Sequence, residues 1–86
     1  MDIILAGKVQ GVGFRHFIRI NAEKLNLKGI VRNKEDTVEI KVEGAAEAIQ
    51  ELIQACKRGP FLAKVTHIDV KEELYKGEWK SFSVEK

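Results

Sequence analysis

Residues 38–43 read VEIKVE, an unbroken alternation that sets Val38, Ile40 and Val42 on one side of a strand and Glu39, Lys41 and Glu43 on the other. Such a strand belongs to a sheet with one packed face and one wet face. The packed face needs a cover, and the flanking sequence supplies one on each side.

Upstream, Lys34 to Asp36 reads as a turn, and Ile30-Val31 begins a strand that ends near Asn33. Further back, from Arg15 to Leu27, the period becomes helical. Phe14, Ile18, Ala22 and Leu25 recur on one side, His16, Arg19, Glu23 and Asn26 on the other, and Gly29 breaks the pattern. Ile3 to Val9 is a short apolar run bounded by glycine, which predicts a strand buried on both faces. Downstream, Gly44 opens a second helix over Ala45 to Lys57, with Ile49, Leu52 and Cys56 inward, and Gly59-Pro60 stops it. Strand-like Val65 to Val70 follows, then a polar connection holding Tyr75 and Trp79, then a terminal strand carrying Phe82 and Val84.

The order is therefore β-α-β-β-α-β with a small extra strand. A right-handed crossover makes the first two strands run the same way, with the third inserted antiparallel between them and both helices on one face. The segment after strand one (Gln10 to Arg15) and the end of strand two (Asn33) must then emerge at the same edge of the sheet.

With 86 residues, the chain is predicted to be a single domain, residues 1–86, with one two-layer core. The composition, 44% hydrophobic and 33% charged, is that of a soluble globular protein. A formal net charge of +2 suits small anionic partners and lacks the concentrated basic face of a nucleic-acid binder. The lone cysteine, Cys56, cannot form an internal disulfide, and its register with Ile49 and Leu52 marks it as core. Ile3 to Ala6 is too short for a signal-peptide core, and no apolar run can span a bilayer. The expected location is the cytoplasm, with no membrane partner.

The strand-to-helix junction, Gly7 to Phe17, reads GKVQGVGFRHF. A dinucleotide-binding fingerprint would need glycine where His16 stands, and a Walker loop would need a terminal Gly-Lys-Ser/Thr. An RNA-recognition submotif would lie on the third strand, which offers only Glu39, Lys41 and Glu43 to water. Two readings remain. The glycines either make a plain tight turn or expose a fan of backbone N–H groups at the positive end of a helix, an anion nest. In the second case Arg15, in the first helical turn, can grip two phosphoryl oxygens with its guanidinium fork. His16 reads as helix surface and His67 as a solvent-facing strand residue. Two distant histidines and one cysteine do not make a metal site.

The nine residues from Gly7 to Arg15, GKVQGVGFR, closely resemble the first signature of the acylphosphatase family. Gly29-Ile30-Val31-Arg32-Asn33 resembles the second, with Ile30 in place of the usual aromatic residue, and Gly59 to Val65 (GPFLAKV) resembles a later segment of the family. The resemblance spans essentially the whole chain. It implies an α+β, ferredoxin-like βαββαβ sandwich, with a mostly antiparallel sheet of four to five strands and two helices on one face. It implies an acylphosphatase that hydrolyses the carboxyl-phosphate bond of acyl phosphates without metal or cofactor. The catalytic arginine falls on Arg15 and the water-positioning asparagine on Asn33. The phosphate cradle falls on Gln10, Gly11, Val12, Gly13, Phe14 and Arg15. Inorganic phosphate is implied as product and competitive inhibitor, nucleic acid is not a partner, and the chain is expected to be monomeric. The alternative is a non-catalytic module that binds phosphate or carbamoyl phosphate.

Two departures bear on the site. The turn after Asn33 is one residue shorter than the family's and lacks its glycine, which predicts a shift of the Asn33 backbone. Glu85 stands where the family often has arginine.

Overall fold

The alternating segment at mid-chain forms the middle of the sheet. In the computed structural model, which describes residues 1–85, strand β1 spans Asp2–Lys8, helix α1 Phe14–Lys24, strand β2 Lys28–Lys34 and strand β3 Thr37–Glu43. Helix α2 spans Ala46–Arg58, strand β4 Lys64–Lys71 and strand β5 Phe82–Glu85. The strand order is β4-β1-β3-β2-β5. β3 pairs antiparallel with β1 and with β2, β4 pairs antiparallel with β1, and β5 runs parallel to β2. The inserted third strand is thus where the crossover rule puts it, and the arrangement is ferredoxin-like with β5 added on the β2 edge.

The core lies between the sheet and the two helices. Ile3, Leu5, Val31, Val38, Ile40 and Val42 from the sheet meet Phe14, Ile18 and Ala22 of α1 and Ile49, Leu52 and Ile53 of α2. β1 does not have two buried faces as its apolar run suggests. Ile3 and Leu5 are buried, whereas Asp2, Ile4 and Ala6 are only half-buried on the opposite side. Nor is the second face of β3 fully wet. Glu39 is 6% exposed, because Arg32 directly across from it on β2 places both Nε and Nη2 at 2.7 Å from Glu39 Oε1. The connection before β5 lies against the far end of this face. The Tyr75 hydroxyl donates to Asp2, Gly77 and Trp79 donate backbone N–H groups to the Glu43 carboxylate, and the Tyr75 and Trp79 rings meet edge-on.

α1 ends earlier than Gly29, at Lys24. Asn26 adopts a left-handed φ of 58°, its N–H donates to Glu23 O, and the Leu27 N–H donates back to Ala22 O. That is a Schellman stop, with asparagine taking the position glycine usually fills. The chain turns three residues sooner and β2 gains Lys28 and Gly29.

The Cys56 thiol is buried in the core, as its register predicts, and burial pushes its pKa up to about 12. The unfolded thiol ionises near 8.5. Between those values the unfolded chain has lost a proton that the folded chain keeps, so stability is full below about pH 8.5 and declines above it. The slope from this one group is about 1.4 kcal/mol per pH unit. Urea unfolding between pH 8 and pH 11 should show the folded state weakening, and Cys56→Ala should flatten that decline while lowering stability at pH 8.

Candidate active site

β1, β2 and β5 run in the same direction, so their C-terminal ends lie on one edge of the sheet, and α1 begins there. A register shift between Ala6 and Gly7 leaves Thr66 of β4 as an extra residue just before the glycine loop. Bulges of this kind bend a strand and change the direction in which the next residues point. In the loop itself, Gly11 has φ 72° and Gly13 φ 75°. A Cβ at either position would meet only open space, so the left-handed backbone, not crowding, is what calls for glycine.

Gly13 is also the N-cap of α1, and no side chain caps the helix there. No acidic residue occupies the first turn. The leading N–H groups of an α-helix have no partner inside the helix. Here they end at an open hollow, and the partial positive charge of the helix start is left uncompensated.

That hollow is a cleft of about 540 Å³. Of the residues expected to form the site, Gln10, Gly11, Gly13, Phe14, Arg15 and Asn33 all line it. Val12 does not; its half-buried side chain packs against the core. The Phe14 ring is buried as well, edge-on to Phe17 at 5.8 Å between centroids. Among the described residues no acidic side chain lines the cleft, whose charged walls come from Arg15 and Arg19, with His16 beside them.

Several features lie outside the expected set. The Gln10 side chain faces the β2–β3 hairpin, where its Nε2 donates to the carbonyls of Glu35 and Thr37, each at 2.8 Å. It ties the glycine loop to the hairpin that carries Asn33. That hairpin has a two-residue turn, Glu35-Asp36, and Glu35 takes a left-handed φ of 57°. The shortened turn therefore concentrates its strain in Glu35. Asn33 pairs with Val38 in regular register up to the turn. β5 forms a wall of the cleft through Phe82, Ser83 and Val84. Its Glu85 carbonyl accepts a hydrogen bond from Arg15 Nη1 at 3.0 Å, and its Glu85 side chain pairs with Arg32 at 3.4 Å. Sequence spacing puts Arg19 on the solvent side of α1, yet it is half-buried in the cleft wall. Its position four residues after Arg15 is the signal that could have found it.

Among the described residues, no group of three His, Cys, Asp or Glu side chains converges as a metal site would require. Nor is any helix among them long and apolar enough to cross a membrane.

The acylphosphatase family model matches residues 1–84. The chain belongs to the acylphosphatase family. It is 45% identical over 85 residues to an acylphosphatase of Methylococcus capsulatus, covering 98% of this chain and 92% of that one. The crystal structure of an acylphosphatase from Bacillus subtilis superposes with a TM-score of 0.94 at 42% identity, covering 99% of this chain and 96% of that one. At that coverage and identity the chain is an enzyme of the acylphosphatase class with the ferredoxin-like α+β fold. A similar unit also occurs inside a larger protein. Full-length HypF, solved in a phosphate- and nucleotide-bound form, matches with a TM-score of 0.92 at 41% identity over 99% of this chain and 11% of that one.

The two Gln10 bonds supply a test of the loop-to-hairpin tie. Gln10→Ala should lower stability by about 1–2 kcal/mol, the worth of two partly exposed hydrogen bonds. Backbone amides of Glu35 to Thr37 should exchange with deuterium faster in the variant, while α2 amides exchange as before.

Proposed function

We propose that the cleft hydrolyses acyl phosphates by in-line attack of water, with Arg15 and the loop amides holding the phosphoryl group and Asn33 orienting the water. The observation that carries this reading is the uncapped start of α1, opening beside Arg15 and Asn33 in a cleft that no acidic side chain lines among the described residues. Three kinds of group then converge: peptide N–H donors, a fixed cation and a neutral carboxamide.

Phosphoryl transfer proceeds through a loose transition state with charge spread over the outer oxygens. Donors already aimed at those oxygens lower the barrier without reorganising during the reaction. Arg15 is held in place by the Glu85 carbonyl, so its guanidinium is positioned before substrate arrives. Asn33 cannot serve as a base at neutral pH, but its carbonyl can accept from an attacking water and hold it opposite the leaving group. The water oxygen forms the new bond to phosphorus and the bond from phosphorus to the acyl oxygen breaks. Its electron pair leaves with the carboxylate, and a phosphoryl oxygen takes the proton of the water.

A carboxylate leaves without being protonated, whereas the alkoxide of a simple phosphate ester does not. The loop, Arg15 and Asn33 include no general acid, which favours acyl phosphates over esters. Inorganic phosphate fits the same donors and acts as product and competitive inhibitor. The chain works as a monomer in this reading, since every group invoked comes from one copy. A cytoplasmic location fits its single buried thiol.

The alternative is a fold that binds phosphate or carbamoyl phosphate without turning it over; what supports it is that a similar unit occurs within full-length HypF, a larger protein solved in a phosphate-bound form. Benzoyl phosphate hydrolysis, with inorganic phosphate as competitor, separates the two. Arg15→Ala should lower turnover by about 10³-fold or more; near-normal turnover would exclude Arg15 from the reaction. Asn33→Ala should lower kcat while the inhibition constant of phosphate stays within a few-fold of the parent. A large loss of phosphate affinity instead would make Asn33 a ligand of the phosphoryl group.

A further inference from the structure

Arg15 and Arg19 are four residues apart on α1, and both line the cleft. Four residues advance about 6 Å along a helix axis, just over one turn. Arg19 therefore lies one turn farther along the same wall than Arg15, in a cleft that Ser83 and Val84 of β5 also line. Arg19 has no ion-pair partner among the described residues, and its Nε is buried with no hydrogen-bond partner. Its one polar side-chain contact is Nη2 to His16 Nδ1 at 3.4 Å, a basic group that supplies no compensating charge. With no carboxylate to compensate it, the guanidinium is left to pair with an anion that enters the cleft it lines.

We infer that Arg19 forms a second anion subsite, which selects acyl phosphates whose acyl part ends in a carboxylate or another anionic group. This rests on the acyl phosphate reading above and adds the identity of the acyl half. The phosphoryl group lies at the glycine loop, the carbonyl and its chain run along the wall made by β5, and the distal carboxylate meets Arg19. Arg19 has no part in bond breaking. It is a specificity residue, so its effect is confined to substrates that carry the second charge.

The test compares 4-carboxybenzoyl phosphate with benzoyl phosphate, a pair whose ring keeps the added carboxylate from attacking its own acyl carbon. The parent chain should prefer the carboxylated substrate in kcat/KM by about two- to fivefold, the worth of one partly screened charge pair. The preference should shrink as salt is raised. Arg19→Gln should bring the ratio close to one, Arg19→Lys should keep part of it, and Arg19→Glu should reverse it. A ratio that is the same in the parent chain and in Arg19→Gln would overturn the inference. So would an equal fall in both substrates, since that would make Arg19 a second ligand of the phosphoryl group. If neither substrate is hydrolysed by the parent chain, the failure lies with the acyl phosphate reading itself. Hydrolysis of benzoyl phosphate by each variant confirms that the variant has folded.

Discussion

Three strands that point the same way must end together, and this one constraint assembles the cleft. β1 and β2 are joined by a helical crossover and so run in parallel, while β3 fits between them in the opposite sense. β5 then adds parallel to β2. The glycine loop leaves β1, Asn33 sits near the end of β2, and Glu85 ends β5. All three arrive where α1 starts, so the helix's unpaired N–H groups face residues far apart in sequence. Without the inserted third strand, the loop and Asn33 would have no fixed separation.

Holding β5 to that edge requires a further interaction. β5 is only four residues long and pairs on one side, which would leave it weakly fixed by backbone bonds alone. Arg32 strengthens the attachment, since it lies between Glu39 on β3 and Glu85 on β5, its register partners on either side. Glu39 beside it holds the guanidinium pKa above its ordinary value, and Glu85 adds to that. The buried Glu39 carboxylate would be costly without a cation, so Arg32 is needed there whatever β5 does. Its remaining nitrogen reaches Glu85, whose own carbonyl restrains Arg15. Glu85, in a place where the acylphosphatase pattern often has arginine, thus links the sheet's ion pair to the cleft.

How much is legible in the sequence depends on how locally each feature is determined. Hydrophobic period places every strand and helix within a few residues, because burial on one face is a property of spacing. Arg15 and Asn33 stand out because Gly7 to Arg15 and Gly29 to Asn33 resemble the two acylphosphatase signatures, not because any spacing within one element marks them. Side-chain destinations are another matter. Gln10 sits inside the glycine motif, yet its amide group reaches a hairpin 25 residues away. Glu39 alternates as an outward residue and is buried where Arg32 and Lys34 of β2 reach its carboxylate. Arg19 is polar at a solvent-side spacing and turns inward because β5 and the loop build a wall beside it. In each case the deciding partner comes from a different element, and no periodicity within one element carries that information. The early end of α1 is the local exception. Asn26 is readable as a C-terminal signal, but Gly29 three residues later is the stronger breaker.

The distribution of charge in the cleft separates two tasks. In the proposed reading, the peptide N–H groups of the loop and helix start are the same for any sequence that adopts these angles, so they would recognise only what all acyl phosphates share, the phosphoryl group. Discrimination between acyl groups must come from side chains farther along α1 and from the facing strand. On α1 those side chains are His16 and Arg19, and on β5 they are Phe82, Ser83 and Val84. The apolar members of that wall suit a carbon chain, and Arg19 adds a cation that no carboxylate pairs among the described residues. On the same reading, a change in the second turn of α1 would alter the choice of substrate and leave the phosphoryl site in place.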